Sequence, residues 1–163
     1  FLDLARQCGA QIEIAEGEAG AVDLSVVFSR LKGTRVAEQR SERLLDQLPL
    51  LAVLATQCEG RSIIRDVDAL RQGEVDRVSH LVAMLRQMEA RVGEYPEGIV
   101  IDGGQPLKGA EIDARGDAAT VQAFAVAGLL ADGETVIDSA EAVDEVYPEF
   151  FDRLDSVKQE RKR

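Results

Sequence analysis

Three short segments occur twice in this chain, in the same order and at nearly the same spacing. Arg6-Gln7-Cys8-Gly9-Ala10-Gln11-Ile12 returns as Arg86-Gln87-Met88-Glu89-Ala90-Arg91-Val92, an offset of 80. Leu31-Lys32-Gly33-Thr34-Arg35-Val36 returns as Leu107-Lys108-Gly109-Ala110-Glu111-Ile112 at an offset of 76, and Glu59-Gly60-Arg61-Ser62-Ile63-Ile64 returns as Asp132-Gly133-Glu134-Thr135-Val136-Ile137 at 73. A period of this length means that one supersecondary unit is built twice and stacked on itself. The shrinking offset places the length differences in loops.

Within each copy the hydrophobic periods are readable. Val78, Leu81, Val82, Leu85 and Met88 recur at helical spacing and form one apolar face of an amphipathic helix. Gln11–Ala15, Asp23–Phe28, Arg61–Asp66, Ile99–Ile101 and Glu134–Asp138 read as short strands, β-branched residues bounded by glycine or charge. Leu48–Gln57 and Ala118–Ala131 are apolar on nearly every face, as helices buried all round are. Each is followed by an acidic residue and a glycine, Gly60 or Gly133, which is a natural left-handed stop before the next strand. The unit is strand, amphipathic helix, two or more strands, buried helix, strand. The sequence therefore predicts an α/β (α+β) domain of repeated βαβαββ-type units, helices inside and sheets outside. It spans residues 1–157 as about two units, with 158–163 as a charged tail. The chain opens mid-unit at Phe1–Gly9, and Pro148–Val157 resembles the start of a third unit, so the expectation is a fragment that lacks a piece.

Composition narrows the function. With 45% hydrophobic residues but only 4% aromatic, the core has to be aliphatic. A net charge of −11 argues against nucleic acid or an anionic membrane as a partner, and any anionic substrate needs a local cluster of cations. The longest apolar runs, Leu48–Ala55 and Ala123–Ala131, are too short to span a bilayer. Cys8 and Cys58 are too few for a disulfide framework and read as reduced thiols of a cytoplasmic protein. His80, the single histidine, lies on the polar side of its helix, where a solvated role is expected and no metal site can be assembled. Leu31-Lys32-Gly33 and Leu107-Lys108-Gly109 lack the glycine spacing of a phosphate loop and read as a turn that enters a strand.

The chemistry-bearing residues lie in an ordered set of motifs. Asp46-Gln47-Leu48-Pro49 opens the first buried helix, and Leu70-Arg71-Gln72-Gly73-Glu74-Val75-Asp76-Arg77 precedes the amphipathic one. Gly116-Asp117 opens the second buried helix, and Tyr147-Pro148-Glu149-Phe150-Phe151 follows near the end. Together, and at this spacing, they resemble the enolpyruvyl-transferase family, in particular 5-enolpyruvylshikimate-3-phosphate (EPSP) synthase, from about Phe1 to about Val157. The resemblance implies an inside-out α/β barrel and transfer of the enolpyruvyl group of phosphoenolpyruvate to shikimate 3-phosphate, with no metal or organic cofactor. That chemistry needs a base at the acceptor hydroxyl, an acid at the methylene carbon and cations around phosphate and carboxylate. By the same resemblance Asp46 is the candidate base, Glu74 the candidate acid, and Arg77 the guanidinium on phosphoenolpyruvate. Asp76 is a neighbour that orients Arg77 or caps its helix. The family's site lies between two domains, so the partners implied are the two substrates and an N-terminal half, or else self-association.

Three family cations are replaced. Gly73 stands where the family carries lysine, Ala119 where it carries arginine, and Glu145 where a lysine is frequent. At ~1.5–3 kcal/mol for each charge-assisted contact, the expectation is weak turnover or none. Two other readings stay open: a non-catalytic binding or assembly module of the same fold, and the related enzyme that acts on a UDP-sugar. Structural roles compete as well. Asp46 is placed to cap the helix that begins at Leu48, Asp117 to cap the one that follows it, and Glu74 with Arg77 has the spacing of a surface ion pair.

Overall fold

In the computed structural model the structure describes residues 1–17, 20–37, 45–72 and 75–156. The tail from Val157 onward, Gly73 and the candidate acid Glu74 lie outside them. The described residues hold five α-helices: α1 (Leu2–Gln7), α2 (Leu48–Thr56), α3 (Arg77–Gln87), α4 (Ala118–Leu130) and α5 (Phe150–Ser156). The strands are β1 (Gln11–Glu16), β2 (Val22–Val27), β3 (Arg35–Val36), β4 (Gly60–Arg65), β5 (Arg91–Tyr95), β6 (Gly98–Gly103), β7 (Glu111–Asp113) and β8 (Val136–Asp138).

Strand pairing repeats with the sequence. β3 runs parallel to β4 with Arg35 opposite Ile63, and β7 runs parallel to β8 with Glu111 opposite Val136. Single bridges join Lys32 to Glu59 and Lys108 to Asp132. Each parallel pair is connected through its buried helix, α2 or α4, as a crossover requires. Antiparallel hairpins β1–β2 and β5–β6 follow α1 and α3, and β6 then pairs antiparallel with β4, giving a sheet in the order β3-β4-β6-β5. That pairing is what joins one unit to the other.

The Lys-Gly turn has a steric reason. A Cβ on Gly33 would lie 2.2 Å from the carbonyl oxygen of Arg61, and one on Gly109 would lie 2.0 Å from that of Glu134. Both turns thus bring two backbones into direct contact where only glycine fits. Gly109→Ala is expected to destabilise the chain by about 1–3 kcal/mol through overpacking. The Tm in thermal unfolding should drop by several degrees, and an unchanged Tm would show that the turn relaxes freely.

The core lies between the layers. Buried side chains of α2 (Leu51, Val53), α3 (Val78, Leu85) and α4 (Phe124) meet the inward residues Ile64, Ile99, Ile101 and Ile112 of the sheets. Helices are inside and sheets outside, as the periodicity predicts. The observed elements differ from the expected ones by a residue or two at their ends. Pro148 and Glu149 form a turn ahead of α5 instead of its first residues. Cys8 and Cys58 are buried and unpaired, and burial pushes the Cys58 thiol up to about 12, so it stays protonated. Among the described residues no helix is long and apolar enough to cross a membrane, and no three His, Cys, Asp or Glu side chains are grouped to hold a metal.

Candidate functional site

The first residues of α2, α3 and α4 open onto one cavity of about 330 Å³. Leu48 and Pro49 begin α2 at its edge, Arg77 begins α3, and Asp117 caps α4. A helix N-terminus carries a partial positive charge, but the carboxylates of Asp76 and Asp117 take N–H groups at the starts of α3 and α4, while the N-cap residue of α2 makes no such bond. Leu70, Leu81 and Met84 supply an apolar floor.

Two guanidinium groups line this space. Arg77 Nη2 lies 3.5 Å from Asp117 Oδ1, an ion pair that ties the start of α3 to the start of α4. Both side chains are a third or more exposed, so the contact fixes a direction more than it adds stability. Asp117 also accepts from the Thr120 N–H and hydroxyl, which confirms its capping role. Arg115 is held on the neighbouring loop: its backbone N–H and its Nε donate to the two carboxylate oxygens of Asp113, at 3.1 and 3.2 Å. Arg115 and Gly116 take consecutive left-handed conformations, φ +51° and +70°, and so turn the chain sharply into α4. That turn is what brings an arginine to the cavity.

His80 is a correction to the sequence reading. It is half-buried, lines the cavity, and its Nε2 lies 2.8 Å from the Asp113 carbonyl oxygen. A carbonyl only accepts, so Nε2 carries a proton and donates it to this contact. The histidine thus pins α3 to the Arg115 loop, and solvation is not its role.

Asp46 sits on the short helical turn Leu45–Gln47 and is exposed. It leads directly into Leu48 and Pro49 at the cavity edge, yet it is not one of the lining residues. The capping alternative fails, because the N-cap of α2 is Gln47, and its side chain makes no capping bond. Asp76 does cap α3: its Oδ1 accepts from Val78 N and Ser79 N at 3.0 and 2.9 Å. The expectation that it orients Arg77 is replaced by a different contact. Its other oxygen takes Arg71 Nη1 at 3.0 Å, and the same nitrogen donates to Glu94 at 2.7 Å. Asp76 therefore acts on Arg77 only by fixing the helix turn on which it stands. Ala119 is half-buried at the start of α4, and Glu145 is exposed at the end of the short helix Ala140–Glu145.

Sequence reasoning singled out Arg77 in this group and missed Arg115 and His80. The signal for Arg115 was present in Arg115-Gly116-Asp117, a cation on a tight turn before a helix cap. For His80 there was none, since its partner is a backbone oxygen 33 residues away.

Comparison with known proteins follows the same outline. A family model for EPSP synthase (3-phosphoshikimate 1-carboxyvinyltransferase) matches residues 1–154. The 3-phosphoshikimate 1-carboxyvinyltransferase of Herpetosiphon aurantiacus is 40% identical over 97% of this chain, and that of a Roseiflexus strain is 42% identical over 92%. An EPSP synthase from Acinetobacter baumannii superposes with a TM-score of 0.87 over 96% of this chain at 26% identity. The enolpyruvyl transferase NikO of Streptomyces tendae, at a TM-score of 0.72 and 19% identity, shares the fold. This chain spans 38% of the length of the Herpetosiphon protein and 38% of the Acinetobacter chain.

Proposed function

We propose, since the chain belongs to the EPSP synthase family, that its cavity is one wall of an enolpyruvyl-transfer site that binds phosphoenolpyruvate and shikimate 3-phosphate. The observation that carries this reading is the convergence of Arg77, Arg115 and three helix starts on a single concave space. A planar guanidinium suits a carboxylate or phosphate, and Arg77 is already aimed by Asp117. Asp46, exposed on the turn that leads into Leu48 and Pro49, is the base for the acceptor hydroxyl, assigned by its motif. Glu74 is the acid for the methylene carbon, assigned by its motif. Arg115 compensates in part for the cation absent at Ala119. A second wall, with the remaining cations, comes from residues outside these 163, so this chain alone holds substrate without turnover. A cytoplasmic setting goes with this reading and with two unpaired buried thiols.

The absence of cations at Gly73, Ala119 and Glu145 favours a second reading in part, that of a wall which binds but contributes little to rate. Titration calorimetry separates the alternatives. Phosphoenolpyruvate and shikimate 3-phosphate should give binding heat, and UDP-N-acetylglucosamine should give none. Arg77→Gln should weaken phosphoenolpyruvate binding about tenfold or more, the loss of one charge-assisted contact. Heat only from the UDP-sugar would reassign the acceptor. No heat from either anion would overturn the site. Adding the complementary half and finding phosphate release would restore full catalysis, while binding without release would leave the second reading standing.

A further inference from the structure

Two backbone hydrogen bonds recur in both units and allow one interior position to be compared with its twin. The Lys32 N–H donates to the Cys8 carbonyl at 2.7 Å, and the Glu59 N–H to the Leu31 carbonyl at 2.7 Å. In the second unit the Lys108 N–H donates to the Met88 carbonyl at 3.0 Å, and the Asp132 N–H to that of Leu107 at 2.9 Å. Cys8 is therefore the counterpart of Met88, at the offset of 80, and Cys58 that of Ala131, at the offset of 73. The second unit fills these places with a thioether and a methyl group. Packing alone does not call for sulfur at both. In the first unit the two thiols meet. Cys8 is 3% exposed and Cys58 0%, and both line one void of about 10 Å³, which leaves no room for more than a water. They are hydrogen-bonding neighbours although 50 residues separate them in the sequence, and Cys58 Sγ also donates to the Leu54 carbonyl oxygen at 3.4 Å.

We infer that Cys8 and Cys58 form a reversible disulfide site, closed by exchange with a low-molecular-weight disulfide such as glutathione disulfide. One cysteine thiolate attacks the small disulfide, forms a mixed disulfide and expels the first small thiolate. The other cysteine thiolate then attacks the chain's own sulfur in that mixed disulfide and expels the second. The chain loses two hydrogens and is oxidised; the small disulfide takes them up as two thiols and is reduced. Burial keeps both thiols protonated in the closed fold, so exchange waits until α1 lifts from the core. That helix has six residues, of which Leu4 and Ala5 are buried. The bond ties the end of α1 to the chain just past α2 and closes a long loop, the kind that constrains an unfolded chain most. The candidate anion cavity lies at the opposite end of α2, at Leu48 and Pro49. Oxidation therefore acts on stability and is independent of the proposed function.

The test incubates the whole chain with excess glutathione disulfide and, in parallel, with dithiothreitol. The oxidised sample, once unfolded, should show no free thiol, and tryptic digestion should join the peptide of residues 7–30 to that of residues 44–61. Dithiothreitol should return both thiols. The Tm should rise on oxidation by about 5 °C or more, as closure of a long loop requires. Cys8→Met combined with Cys58→Ala copies the pair of the second unit, and its Tm should not respond to glutathione disulfide. The peptide map on the unaltered chain needs no variant. Two free thiols that persist at equilibrium in excess glutathione disulfide would overturn the inference. So would a glutathione adduct as the sole product, or a cross-link that fails to raise the Tm, since the pair would then be core packing and nothing more.

Discussion

Phe124→Ala should lower the stability of this chain by about 3–5 kcal/mol, the largest effect expected of any single core substitution here. Phe124 is 0% exposed and heads the fully buried side chains by volume. It stands on α4, the helix that packs against α2 at the centre of the molecule, within the core cluster that both units share. Removing the ring leaves a void that neither helix can close, because each is fixed at both ends by its parallel strand pair. With so few aromatic residues in the chain, no neighbouring ring can swing in to fill the space. Chemical denaturation should show a lower midpoint with an unchanged slope, and the thermal midpoint should fall by roughly 10 °C. A loss under 1 kcal/mol would mean that the inter-helix space collapses, and that the two units are less firmly joined than the burial of Phe124 requires.

The repeat made much of the fold legible before any coordinates. Offsets of 76 and 73 in the sequence are the same offsets that relate Arg35 with Ile63 to Glu111 with Val136 in the two parallel pairs. A repeated segment keeps its register because its hydrophobic alternation and its tight glycine contacts are copied with it. The buried helices were legible for a simpler reason, since nothing polar interrupts Leu48–Thr56 or Val121–Leu130 except Thr56 and Gln122. Asp117 was legible as a cap because capping is local, a matter of three residues.

The site was legible only where its determinants are local. Arg77 and Asp76 stand in one short motif. By contrast, Arg115 reaches the cavity through two consecutive left-handed residues, one of them an arginine, and no propensity predicts that. Asp46 lies beside a helix start and looks like a cap, yet the turn Leu45–Gln47 carries it one residue too far. His80 and Arg71 bond backbone carbonyls brought near by tertiary packing, and a carbonyl leaves no mark in a sequence.

Arg71 is the residue whose removal should have the second-largest effect, and it was hidden for that reason. Its guanidinium donates to Asp76 at 3.0 Å, Glu94 at 2.7 Å, the Tyr95 carbonyl at 2.8 Å and the Pro96 carbonyl at 3.2 Å. It thereby staples the cap of α3 to hairpin β5–β6, and its side chain is only 18% exposed. Burial pushes the Asp76 carboxyl up, but hydrogen bonds from the Ser79 N–H and hydroxyl and from Arg71 outweigh it and hold the group below its ordinary value of 3.8. The Ser79 hydroxyl, then Arg71, do the same for Glu94 below 4.5. Arg71→Met leaves two half-buried carboxylates facing each other without a counter-charge, which should cost about 2–4 kcal/mol. The sign with pH follows from the depressed values. Over the acidic window the unfolded chain binds more protons than the folded one, so the stabilisation is complete above about pH 5 and is lost as pH falls through the folded values. Urea midpoints measured between pH 7 and pH 3 should therefore separate the two chains most at pH 7 and draw together in acid. Since Arg71 does not line the cavity, the proposed function has the variant keep phosphoenolpyruvate binding wherever it remains folded, more weakly than the parent because Arg77 stands on a looser turn. A gap between the chains that holds constant down to pH 3 would remove Asp76 and Glu94 from the explanation and leave only the two carbonyl contacts.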